Sequence, residues 1–238
     1  LVLAISDACA ARHDPPLRQA VRELSAALGV CLVEPELTGE KAACCGFGGL
    51  LSEANPDLGR TVARQRAAAA PEDALTYCAM CRDMLARTGK RALHLFDLLF
   101  PRPGDPGARP APGYSERREN RVRLKQGLLA GLWREPGKRE AAPFEAVAVR
   151  FSETAVRHME ARRILKSDVQ KVLLRQQETG QRFVHGETGH FLATLRPATV
   201  TYWVEYEETP DGSCVHNAWS HRLRLAGDAV MNKVVRVP

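Results

Sequence analysis

At 238 residues with 45% apolar composition, the chain is long enough for one large domain or two small ones, each with a real core. It holds no run of about 18 apolar residues, which argues against a membrane-spanning helix and leaves any membrane contact to a partner. The net charge of +6 comes from bases interleaved with acids, as in Glu116-Arg117-Arg118-Glu119, and no nucleic-acid motif accompanies it, so the surface reads as solvated rather than nucleic-acid binding.

Residues 1–5 form a short apolar run of the kind that makes a buried strand. Residues 1–6 are too short for a secretory signal and have no basic segment ahead of them. With no initiator methionine, the chain is expected to be part of a longer polypeptide. Residues 16–28 place Leu17, Val21, Leu24 and Leu28 on a helical stripe that Gly29 ends. A strand over 30–34, a helix over 58–70, a strand over 74–77, a helix over 82–88 and a closing segment over 92–100 follow. Alternation of this kind predicts a parallel sheet with helices on its faces.

Residues 101–113 contain five prolines and three glycines, which cannot sustain helix or ladder hydrogen bonds, so they read as a linker. Residues 116–133 read as a basic helix with Val122, Leu124, Leu128, Leu129 and Leu132 as its apolar positions. A second loop is expected over 135–143. Linker and helix together occupy 101–143, between a first domain at 1–100 and a small α+β domain at 144–238. In the latter, Ser167 is the expected N-cap of a helix over 168–178 that Gly180 stops. Strands over 182–185, 190–195 and 199–207 follow, then a Pro210-Asp211-Gly212 turn into a return strand over 213–225, which together predict an antiparallel sheet. Trp203 and Trp219 are expected to pack on facing strands.

The cysteines carry the chemistry. Seven is an odd number and two are adjacent, a poor basis for disulfides, so a reducing cytoplasm with metal or redox use of the thiols is expected. Cys78-Ala-Met-Cys81 alone would serve a redox couple, zinc or a cluster. Together with Cys9 and the Cys44-Cys45 pair it makes five thiols, one more than a tetrahedral zinc or an ordinary cubane takes. Adjacent residues, with Cα atoms about 3.8 Å apart, reach different irons of a cluster more easily than one metal atom. Gly46, Gly48 and Gly49 would let backbone approach a bulky cluster. Five thiolates around a doubly positive core leave a charge of about −3, so cations are expected nearby, with Arg12, His13, Arg82 and Arg87 closest in sequence. Cys31 reads as a buried strand thiol, and Cys214, with no cysteine near it, is not expected to ligate.

Cys9, Cys44-Cys45-Gly46 and Cys78-x-x-Cys81, followed by His94-Leu-Phe-Asp97-Leu-Leu99, resemble the cysteine-rich CCG domain of the heterodisulfide reductase family. The same domain occurs in the iron–sulfur subunits of glycolate oxidase and anaerobic glycerol-3-phosphate dehydrogenase. The resemblance covers residues 1 to about 100 and implies a Rossmann-like α/β fold. It implies Cys9, Cys44, Cys45, Cys78 and Cys81 as ligands of a [4Fe–4S] cluster, noncubane in the reductase, with zinc or a simpler cluster at the equivalent site of other relatives. Two departures stand out. The motif occurs once here where relatives often carry two copies, and Ser6-Asp7-Ala8 precedes Cys9 where relatives commonly show His-Asp-Pro.

The resemblance implies an iron–sulfur oxidoreductase subunit that passes electrons to or from a disulfide or small substrate, with ferredoxin-like or flavoprotein subunits as partners. A zinc-stabilised interaction module, or a thiol redox sensor using only Cys78 and Cys81, are the alternatives. The second domain offers His185, His190, His216 and His221 as conceivable metal ligands, although histidines in such positions are more often surface or packed residues. Docking onto partner redox subunits is a further role that would suit it.

Overall fold

The computed structural model describes residues 1–134, 141–223 and 234–237. The chain divides into two compact units, Leu1–Pro112 and Gly113–Pro238.

In the first unit, β1 (Val2–Ile5) leads to α1 (Pro15–Ala27) and β2 (Cys31–Val33), then to α2 (Leu51–Ala54) and α3 (Pro56–Ala67). β3 (Ala74–Thr76), α4 (Ala79–Ala86), β4 (Ala92–His94) and α5 (Leu95–Leu99) complete it. The four strands pair in parallel in the order β2-β1-β3-β4. The central strands are buried on both faces, which is why β1 and β3 are short apolar runs without polar alternation. Leu3, Ile5, Val21, Val30, Leu75, Leu93 and Leu95 form the core. The Asp14 carboxylate accepts from Leu17 N at 3.0 Å and the Asn55 amide oxygen from Leu58 N at 3.1 Å, and prolines follow each cap, so α1 and α3 start where their backbone donors are satisfied. Gly29, at φ 73°, ends α1.

Two expectations for this unit change. Cys31 is exposed rather than buried, because β2 is an edge strand and its outward positions have no covering layer. Residues 101–112 are not free of the unit. Arg82 donates to the carbonyls of Arg109 and Pro110, Arg91 pairs with Asp105 at 2.7 Å, and Arg109 grips Asp97 through two bonds of 2.9 and 3.0 Å.

The second unit opens with α6 (Tyr114–Gly131), continues through β5 (Val149–Phe151), α7 (Glu153–Arg162) and α8 (Lys166–Thr179), and then runs β6 (Arg182–His185), β7 (Phe191–Leu195), β8 (Thr201–Thr209), β9 (Gly212–His221) and β10 (Val234–Val237). The sheet order is β10-β6-β7-β8-β9-β5. Every pairing is antiparallel except β5 with β9, which is parallel. Val169, Val172 and Leu173 of α8 pack against Val204, Tyr206, Val215 and Ala218 of the sheet, with Ala155 and Met159 of α7 in the same core.

Trp203 does pair with Trp219, the rings stacked with centroids 6.1 Å apart. α8 begins one residue before Ser167, so Ser167 is not its cap. The Asp168 carboxylate instead reaches back to accept from Leu165 N at 3.1 Å. α6 buries none of its residues, and Leu124 on it and Leu132 just after it are exposed. The expected loop over 135–143 falls largely outside the described residues, as does the far end of the expected return strand. Among the described residues, no helix is long and apolar enough to cross a membrane.

Candidate metal centre

In a sheet ordered β2-β1-β3-β4, the chain leaves β1 toward one edge and returns to β3 on the other side. Connections therefore diverge beyond the carboxyl ends of β1 and β3, and the crevice between them is where open α/β sheets receive ligands. The five cysteines follow from that topology. Cys9 lies in the loop after β1, Cys44 and Cys45 in the connection after β2, and Cys78 directly after β3. Cys78 caps α4 and Cys81 is in its first turn, so the spacing of three puts both thiols on one side of the helix start.

The thiols meet. Cys9 hydrogen-bonds Cys44 and feels the charge of Cys45. Cys45 bonds Cys81, and Cys81 bonds Cys78. Cys45 and Cys81 are buried against Ala63 and Met84, while Cys9, Cys44 and Cys78 are half-buried. The hydrogen bond from Cys81 holds the Cys45 thiol down at about 6, helped by the Phe47 amide and by the charge of Arg66. The same bond, with burial, pushes Cys81 up. Burial and the neighbouring sulfurs raise Cys9, against the pull of Arg12.

Gly46 shapes the loop. Its φ of 87° lies in the region that favours glycine, and a Cβ there would run into the carbonyl oxygen of Gly59 on α3. With that crossing made, the Gly46 amide donates to Cys44 Sγ at 3.3 Å. The close approach that needs a glycine is therefore to α3. Gly48 and Gly49 have open space around them.

The cations are only partly those nearest in sequence. Arg12 is beside Cys9 and also donates to the Ala42 carbonyl at 2.8 Å, tying the first cysteine loop to the second. His13 and Arg87 are exposed. Arg82 is buried but spends its donors on Ala92, Asp83, Arg109 and Pro110, so it braces the unit instead of facing the thiols. Its place is taken by Arg66 of α3. This buried guanidinium donates to Ser6 Oγ at 3.2 Å and to the Leu37 carbonyl. Its Nη2 has no hydrogen-bond partner among the described residues, and the charge of Asp7, followed by those of Cys81, Cys45 and Cys9, acts on it. Gly59, Ala63 and Arg66 are the buried positions of α3, at helical spacing. An arginine on a stripe of glycine and alanine was the signal available in the sequence.

Asp7, with its partner Tyr77, was also missed by sequence reasoning. Its carboxylate accepts from Arg22 at 2.9 and 3.3 Å, Thr38 Oγ1 at 2.8 Å, Gly39 N at 2.9 Å and Tyr77 Oη at 3.0 Å. One side chain therefore fixes the loop after β1, the segment leading to Cys44, and the residue before Cys78. Burial alone would raise its pKa, but Arg22 with the Gly39 and Thr38 donors holds it at about 2. His94 has a local duty as well, accepting from Phe96 N through Nδ1 at 3.1 Å while Asp97 accepts from His94 N at 2.9 Å, which caps α5.

The family model of the CCG cysteine-rich domain matches residues 3–86. This segment is a CCG domain. Domains of this type are cysteine-rich and occur in iron–sulfur oxidoreductase subunits, which agrees with a thiol cluster able to hold a metal or a metal cluster. No curated protein and no solved structure was found to match the chain. The CCG domain fits such a group by its donors: five cysteines gathered from three loops, one with a depressed pKa, and a buried guanidinium with an N–H left to give. An anionic thiolate assembly would satisfy that N–H.

Proposed function

We propose that the CCG domain is the cluster-bearing part of an iron–sulfur oxidoreductase subunit resembling heterodisulfide reductase. Cys9, Cys44, Cys45, Cys78 and Cys81 would hold a [4Fe–4S] cluster, cubane or noncubane. The subunit would work in the cytoplasm within a larger redox complex, with ferredoxin-like or flavoprotein partners. The observation that supports this reading is that the loops after β1, β2 and β3 bring five cysteines into one region, where Cys9 acts on Cys44 and Cys45, and Cys81 on Cys45 and Cys78, a donor set larger than a single tetrahedral metal takes.

When bound, a cluster of this kind supplies one-electron transfer to or from a disulfide, thiol or small substrate. The residues of the chain prepare the place for it. Cys45 gives a thiolate near neutral pH, Arg66 offsets negative charge, the Gly46 amide turns toward Cys44 sulfur, and Asp7 keeps the three cysteine loops in register.

Anaerobic purification followed by metal analysis and electron paramagnetic resonance tests the reading. About four irons per chain, with a paramagnetic signal on oxidation that responds to thiols, is the expected result. One zinc per chain with no redox response would replace it by the zinc-stabilised module. Function that survives replacement of Cys44 and Cys45 would replace it by a Cys78–Cys81 thiol sensor.

A further inference from the structure

Four histidines of the second unit differ in what they do. His185 Nδ1 accepts from Thr188 N at 3.3 Å inside the β6–β7 turn. His221 lies between the Trp203 indole, which donates to its Nε2 at 3.0 Å, and the Leu223 carbonyl at 2.9 Å. His190 and His216 instead come together, their rings stacked with centroids 4.2 Å apart and 11° from parallel, so one ring turns out of the stack when both donate in-plane to a shared ion. One nitrogen from each, with a carboxylate oxygen of Glu207, forms a trio whose atoms all lie within 4.8 Å of one another.

We propose that His190, Glu207 and His216 form a binding site for a divalent first-row transition-metal ion of the zinc class on the sheet of the second unit. The sheet builds this convergence by two departures from plain pairing. Val204 and Tyr206 of β8 enter the core, so Glu205 and Glu207, alternating with them, line the other face. On β9, Asn217 pairs with Glu205 and Val215 with Tyr206, which leaves His216 as the extra residue of a β-bulge. A bulge re-aims a side chain, and this one brings His216 to Glu207. On the other flank, the turn closed by His185 and His190, with Gly189 at φ 73°, fixes His190 at the start of β7.

Three observations point to an ion rather than a plain surface pair. First, Glu205 is buried and holds His190 Nδ1 at 2.9 Å while the Thr188 hydroxyl donates to the same oxygen at 3.0 Å. That contact leaves His190 Nε2 as the free nitrogen, the arrangement by which a carboxylate orients a metal-binding imidazole. Second, His216 Nε2 is shut off from solvent without an accepted hydrogen bond, and it lies 3.3 Å from Glu207 Oε1. Two donors each about 2.1 Å from one ion at the tetrahedral angle are about 3.4 Å apart. Third, the donors are two imidazoles and one carboxylate, a set that suits zinc and its neighbours better than calcium or magnesium, which take oxygen. With three protein ligands, a fourth position stays available to water or a small ligand. The side chains of His190, His216 and Glu207 are 28%, 29% and 50% exposed, so an ion can enter.

The test uses the full chain and Co²⁺, whose spectrum separates this site from the cysteines. Sulfur ligation gives a thiolate-to-cobalt charge-transfer band, and nitrogen and oxygen ligation does not. The wild-type chain is expected to take up one equivalent more Co²⁺ than the His190→Ala/His216→Ala variant, with the charge-transfer band equal in both. Glu205→Gln should weaken that extra equivalent about 10–100-fold without abolishing it. Zn²⁺ titration of ¹⁵N-labelled wild-type chain supplies a readout that needs no variant, since the imidazole nitrogens of His190 and His216 should shift with one added equivalent. Equal Co²⁺ uptake by the wild type and a folded double variant, or imidazole nitrogens unmoved by Zn²⁺, would overturn the proposal and leave an imidazole–carboxylate contact. Neither result bears on the cluster reading of the CCG domain.

Discussion

Asp7 and Cys45 each hold a charge that their surroundings decide, and each gives a measurable consequence. An aspartate in an unfolded chain titrates near about 3.9, whereas Asp7 is held at about 2 in the fold. As pH falls, the unfolded state therefore takes the proton first, and the stability that Asp7 contributes, complete above about pH 4, is lost on the way down to about pH 2. Asp7→Asn is expected to cost about 2–3 kcal/mol at neutral pH, toward the low end for a broken buried pair because Arg22 keeps Glu34 at 2.7 Å. Urea unfolding across pH should show that gap closing in acid, and a gap independent of pH would contradict the assignment. In the metal-free chain, the ultraviolet absorbance of thiolate should show a step near pH 6. Cys45→Ser should remove the step, and Cys81→Ser should move it up toward the ordinary thiol value of about 8.5. The cysteines themselves were legible from their spacing. Asp7, Arg66 and Tyr77 were not, because their roles depend on which loops the sheet brings together.

α8 shows how far a local rule reaches. The apolar spacing of Val169, Val172 and Leu173 located the helix and Gly180 its end, but the start was misplaced onto Ser167. The fold satisfies the free amide at Leu165 with Asp168, a carboxylate three residues inside, which serves the first turn electrostatically as well. Ser167→Ala is accordingly expected to change stability by less than about 0.5 kcal/mol and Asp168→Ala to cost about 1 kcal/mol, both read from thermal or urea unfolding. α7 went unread because its buried face is made of Ala155 and Met159 while Val156 is exposed, leaving no apolar stripe to find. β5 escaped for a related reason, being three residues that gain meaning only by pairing in parallel with β9. The bulge at His216 has no sequence signature either, since it is a mismatch of register between two strands that each look regular.

The apolar clusters of the first unit and that of the second share no residue. Leu173→Ala is therefore expected to destabilise the second unit by about 2–5 kcal/mol while leaving the metal content of the cysteine site at the wild-type level, measured by denaturation and metal analysis on the same preparation. Loss of the cysteine-bound metal in that variant would show that the cores are not energetically separate. The amino-acid pattern was enough for the alternation of strands and helices, the all-parallel sheet, the CCG motif and the Trp203–Trp219 pair, because each rests on short-range periodicity or on a rare residue at fixed spacing. Contacts between residues far apart in the chain decided the rest. Arg66 took the place expected of Arg82, Gly46 proved to be needed against Gly59, Asp7 joined three loops, and His190 met His216 across Glu207. A side chain's charge and reach are written in the sequence, but its partner is set by strand order and register, and these emerge only when the whole chain packs.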